Sequence, residues 1–93
     1  MSFSSIDPII RTWATANSLA VQTTYQDSEV RSVQIVGVAG QKAQIWIDSP
    51  TGGQVSVHVW DYKKSRRDWT GAMQNLAGYL TDALITARTW TSE

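Results

Sequence analysis

Lys42-Ala43-Gln44-Ile45-Trp46-Ile47-Asp48-Ser49-Pro50-Thr51-Gly52-Gly53-Gln54-Val55-Ser56-Val57-His58-Val59-Trp60 is the stretch that decides the fold. Ala43, Ile45 and Ile47 alternate with Gln44, Trp46 and Asp48; Val55, Val57 and Val59 alternate with Ser56, His58 and Trp60. A period of two sends successive side chains to opposite faces of a strand. Ser49 to Gly53 supplies the Pro and Gly that tight turns need. A hairpin follows, with one aliphatic face and one face of Trp, His, Gln and Ser.

The alternation extends toward the N-terminus. Leu19, Val21, Thr23 and Tyr25 read as one face of a first strand, with Asp27-Ser28-Glu29 as its turn. Val33 and Ile35 mark the second strand, and Gly37-Val38-Ala39-Gly40-Gln41 the turn into the third. Loop lengths set a register: Val21 opposite Ile35, Val33 opposite Ile45, Ile47 opposite Val55, and Ile45 opposite Val57. Apolar residues then meet apolar residues in every hairpin, and a slip of one position would turn a whole strand inside out. The expectation is a four-stranded antiparallel meander.

Helical periods flank it. Ile6, Ile9, Ile10 and Trp13 form an apolar stripe, entered through an Asp7 cap with Pro8 in the first turn or through a competing Ser4–Asp7 box. Asn17-Ser18 ends that helix, with Asn17 suited to a left-handed conformation. At the other end Trp69, Ala72, Met73, Leu76, Leu80, Ala83, Leu84 and Ala87 follow the i, i+3, i+4 pattern. Ser65 and Asp68 read as the capping box that starts this second helix. Trp90 is left unplaced. The predicted architecture is an α+β two-layer sandwich, α-β-β-β-β-α, with both helices on one face of the sheet.

Composition narrows the function. A chain of 93 residues makes one domain, taken as 1–93. Without cysteine there is no disulfide framework and no thiolate metal site. Its 8 Lys+Arg balance its 8 Asp+Glu, which removes any chain-wide attraction to nucleic acid or anionic membrane. No apolar run reaches membrane-spanning length, and Met1 to Pro8 lacks the basic start and apolar stretch of an export signal. A cytoplasmic location is expected.

Attention falls on the sheet face that the helices leave open. Alternation assigns it Gln34, Gln44, Trp46, Asp48, Ser56, His58, Trp60 and Tyr62, among others. An open face is normally polar, so Trp46, Trp60 and Tyr62 stand out. Aromatics are enriched at interface centres. The first expectation is a homodimer, packed sheet to sheet over Trp46, His58, Trp60, Tyr62, Gln34 and Gln44. An alternative is a ligand- or single-strand-binding platform that adds Lys63, Lys64, Arg66 and Arg67 as anion contacts. Against that alternative, Asp61 and Asp68 flank the basic run and offset half its charge.

His58 is the sole histidine. The derived register separates it from Asp48 by several residues and puts Asp61 on the opposite face. No nucleophile elbow or phosphate loop is present, and the sequence offers no metal ligand set. No catalytic residue, metal or cofactor is expected; the sequence points to a non-enzymatic interaction module.

Overall fold

A computed structural model describes residues 3–92. Helix α1 (Asp7–Ala16) leads into strands β1 (Gln22–Tyr25), β2 (Ser28–Val36), β3 (Lys42–Ile47), β4 (Gln54–Trp60) and β5 (Arg66–Ala72). A single 3-10 turn (Met73–Asn75) then opens helix α2 (Leu76–Thr91). The sheet is an antiparallel meander in the order β1-β2-β3-β4-β5. It has five strands, not four.

The extra strand comes from residues that read as the start of the last helix. In β5, Arg67, Trp69 and Gly71 pair with Val59, Val57 and Val55 and so face the core side. Trp69 is the single large apolar residue on that side, so β5 carries no aliphatic alternation to announce it. Trp69, Ala72 and Met73 match helical spacing by coincidence. The predicted Ser65–Asp68 capping box therefore does not form. The expected helical core from Leu76 onward does: Leu76, Leu80, Ala83, Leu84 and Ala87 are all buried. Trp90 lies in the last turns of α2 and packs against the core rather than over the opposite sheet face.

Pairing of β2 with β3 follows the expected register, with Val33 opposite Ile45 and Val36 opposite Lys42. The β3–β4 hairpin is shifted by two residues, so that Ile45 meets Val59 and Trp46 meets His58. The cause is the turn. Gly52 and Gly53 take φ of 59° and 79°, and Thr51 and Gln54 exchange backbone hydrogen bonds at 3.0 Å. That makes a two-residue turn instead of a five-residue loop, and one extra residue on the β3 side, between Ile47 and Thr51, sets the net displacement at two. A shift of two leaves every side chain on its predicted face. In β1 the outcome differs. Gln26 and Asp27 (φ 49° and 68°) form the turn by themselves, and a bulge between Gln22 and Thr24 shifts the pairing.

Helix α2 lies across β3 and β4, and α1 packs against α2. Ile6, at the N-cap of α1, and Ile10, Trp13 and Ala14 within the helix join Val33, Ile45, Ile47, Val55, Val57 and Val59 in one buried cluster. Asp7 is the first residue of α1 rather than its cap. Its carboxylate accepts from Arg31 Nε at 2.7 Å and Nη2 at 3.0 Å, tying α1 to β2. Ser18, not Asn17, takes the left-handed conformation (φ 56°). Asn17 instead donates its side-chain amide to the Trp13 carbonyl.

Two glycines mark where α2 approaches the sheet most closely. A Cβ on Gly37 would overlap the backbone carbonyl of Thr91, and one on Gly71 would meet the Tyr79 hydroxyl. A side chain can swing away, whereas a helix backbone moves only with its packing. Gly37→Ala should destabilise the fold by about 1–3 kcal/mol and Gly71→Ala by clearly less. Urea unfolding of the two variants checks the order; equal losses would contradict the close approach at Gly37.

Candidate functional site

Register fixes what stands side by side on the open face. One row runs across all five strands: Gln22, Ser32, Trp46, His58 and Asp68. The next, nearer the β4–β5 loop, is Gln34, Gln44, Trp60 and Arg66. These side chains meet because an antiparallel ladder sets directly opposed Cβ atoms about 5 Å apart.

His58 is the most constrained member. Its ring stacks on Trp46, with centroids 4.9 Å apart and planes 23° apart. Nδ1 lies 2.5 Å from Asp68 Oδ1, and Nε2 lies 2.8 Å from Asp48 Oδ2. Carboxylates only accept, so the ring satisfies both at once when it carries two N–H groups. The two-residue shift of the β3–β4 hairpin brings Asp48 to His58, and β5 supplies Asp68. This corrects the expected separation of Asp48 from His58. Asp68 is held below its ordinary value of 3.8, chiefly by the His58 hydrogen bond; partial burial opposes this, and Arg66 adds to it.

Around this centre the aromatics and amides are linked. Trp60 and Tyr62 meet at 4.8 Å with planes tilted by 44°, and Gln34 Nε2 donates to the Tyr62 hydroxyl at 3.2 Å. Ser56 and Thr70 share a 3.0 Å hydrogen bond. An open groove of about 980 Å³ has Tyr25, Trp46, Trp60, Tyr62, Gln22 and Gln44 in its walls. A second recess, of about 380 Å³, is lined by Trp46, Trp60, Lys63, Lys64 and Arg66. Trp46 and Trp60 belong to both, and so stand between them.

The β4–β5 loop is held at its backbone by Asp61. Oδ1 of Asp61 accepts from the backbone N–H groups of Lys63, Lys64 and Ser65 at 2.9, 3.1 and 3.0 Å. Desolvation pushes the Asp61 carboxyl up. The three N–H donors and the Ser65 hydroxyl outweigh it and hold Asp61 below its ordinary value. Tyr62 takes a left-handed conformation (φ 65°) that the loop sustains. Arg66 is fixed by Asp68 at 3.0 Å, with its guanidinium 5.4 Å from the Trp46 ring centroid. Among the described residues Lys63 and Lys64 have no ion-pair partner.

The predicted site residues thus divide. Trp46, His58, Trp60, Tyr62, Gln34 and Gln44 share the open face, and Lys63, Lys64 and Arg66 border it. Arg67 does not: it sits on the core side of β5, 5.0 Å from the Trp69 ring centroid. Sequence reading missed Tyr25 and Asp68. Alternation assigns Tyr25 to the core side, whereas the β1 bulge turns it to the groove; the two-residue Gln26-Asp27 turn is the sequence signal for this. Asp68 was hidden by the helical reading of β5. Among the described residues no group of three or more His, Asp or Glu side chains is placed to hold a metal ion. No helix among them is long and apolar enough to cross a membrane. No family model, curated protein or solved structure matches the chain.

A carboxylate whose value is lowered on folding contributes stability above its unfolded value, which is lost as pH falls through the folded one. Asp7, lowered first by its Arg31 hydrogen bond, and Asp68 both behave this way. His58→Ala should cost about 1 kcal/mol at neutral pH, a modest loss because Asp48 and Asp68 are half exposed. The difference from wild type should begin to shrink as pH falls below the ordinary Asp68 value of 3.8 and close once pH passes its lower folded value, where the carboxylate is protonated in both proteins. Urea melts at neutral and acid pH check this; an undiminished difference in acid would contradict the pairing.

Proposed function

We propose that the protein is a non-enzymatic interaction module that self-associates through the helix-free face of its sheet. One observation carries the reading: Tyr25, Trp46, Trp60 and Tyr62, drawn from three strands and the following loop, wall a single open groove. Contiguous exposed aromatic surface of this kind marks association sites. The polar groups between the aromatics favour coverage as well. Burying a polar group costs about 1–3 kcal/mol when it lacks a partner. Here His58, Ser56, Thr70, Gln34 and Arg66 already have one on the face itself.

Size sets the strength. Five strands at about 4.8 Å spacing, averaging near seven residues at about 3.3 Å rise, give a face of roughly 24 by 23 Å. That is on the order of 550 Å² per partner, below the roughly 800 Å² of a standard interface. An interface of this size belongs with weak, reversible associations. Self-complementarity supports a twofold arrangement, since each copy brings the same aromatic groove to the other.

Sedimentation velocity from about 1 to 100 µM should show wild type moving from monomer toward twice its mass, in keeping with a small interface. Trp60→Ala should stay monomeric with its thermal midpoint preserved, because Trp60 faces away from the core. A wild type that is monomeric throughout, or a variant that dimerises as well as wild type, would overturn the reading.

A further inference from the structure

The β4–β5 end of the same face carries chemistry that self-association does not use. Two cations with no ion-pair partner among the described residues, Lys63 and Lys64, share a recess with Arg66 and the rings of Trp46 and Trp60. The nearby acids are directed elsewhere. Asp61 turns its carboxylate onto three backbone N–H groups of the loop, and Asp68 is shared between His58 and Arg66. Local positive charge survives at this end although the chain as a whole is neutral.

We infer that this recess binds a phosphate-bearing aromatic ring, that is, a nucleotide, with the base on Trp60 and the phosphate on Lys63, Lys64 and Arg66. The inference rests on the reading of the helix-free face as a binding surface. Flat aromatic faces accept any base by stacking, and lysines beside them fix the backbone charge. Preorganisation supports it. Asp61 holds the backbone that carries both lysines, and Asp68 and the Trp46 ring hold the Arg66 head, so the ligand has chiefly the two lysine side chains left to order. A volume of about 380 Å³ lies at the small end of ligand sites, suited to one base and one phosphate. The charge argument also selects against neutral rings, such as sugars, which would leave both ammonium groups unanswered.

The shared chemistry arises in two sources, free mononucleotides and single strands, and the test separates them. Tryptophan fluorescence of the full chain is titrated with adenosine monophosphate, an oligouridylate and inorganic phosphate, at a concentration where sizing shows monomer. Quenching by either base-bearing probe, with affinity falling roughly 15- to 20-fold between 50 and 200 mM salt for three phosphate contacts on a strand, is the expected result. Quenching by adenosine monophosphate at least as strong as by the oligomer assigns the free nucleotide; quenching by the oligomer alone assigns the strand. Lys63→Ala with Lys64→Ala should weaken binding about tenfold or more with an unchanged melt and a flatter salt dependence. Trp60→Ala should abolish the quenching. No quenching, quenching indifferent to salt, equal binding by the double-lysine variant, or binding of inorganic phosphate alone would each overturn the inference. Sizing of the same samples keeps the two readings apart. A protein that binds nucleotide yet stays monomeric at every concentration up to about 100 µM defeats self-association alone, and one that dimerises but ignores nucleotide defeats this site alone.

Discussion

The contact on which the rest of the molecule depends is the buried row of Val33, Ile45 and Val59, neighbours on three successive strands and none more than 2% exposed. Leu80, Ala83, Leu84 and Ala87 of α2 belong to the same buried cluster, and the hydrophobic gain comes from removing both surfaces from water together. Side chains on a strand alternate, so burying this row commits Gln44, Trp46, His58 and Trp60 to the other side. Helix α2 covers the middle of one face, chiefly over β3 and β4, with α1 packed beside it. The face that carries the tryptophans is therefore left open by the same packing that makes the core.

That exposure gives the polar groups of the face their character. An imidazole between two carboxylates, a hydroxyl pair, an amide on a phenol and a guanidinium on a carboxylate satisfy one another across neighbouring strands. Such a network holds the rings of Trp46 and Trp60 at fixed positions without help from a second layer. It also means that a partner arriving on the face displaces water from groups that keep their hydrogen bonds. Charge is sorted along the face as well, with acids at its centre around His58 and Lys63 and Lys64 at the β4–β5 end.

Much of this is legible in the sequence, because burial on one side writes itself as alternation. Ile45, Ile47, Val55, Val57 and Val59 declare both strands and both faces, and the face assignment of Trp46, His58 and Trp60 survives a two-residue shift in register. What is not legible lies where the alternation is silent or the turn is shorter than it reads. β5 has one large apolar residue on its core side, and Gly71 stands where Tyr79 needs room, so nothing in its period distinguishes it from a helix start. The β1 bulge reverses Tyr25 through backbone geometry alone. The His58 pairing needed both corrections at once: the shift that delivers Asp48 and the strand that delivers Asp68.

The central claim is that the helix-free face, and not the helix layer, is where this protein meets other molecules. Its 5 tryptophans report on that directly, since their indole N–H signals resolve in a ¹H–¹⁵N correlation spectrum. Trp46 and Trp60 line the open face, whereas Trp13, Trp69 and Trp90 pack with the core. On dilution of the protein, and on addition of an oligouridylate, the account predicts that the Trp46 and Trp60 signals move while the other three stay fixed. Signals from Trp46 and Trp60 that ignore both changes, or movement confined to Trp13, Trp69 and Trp90, would contradict it.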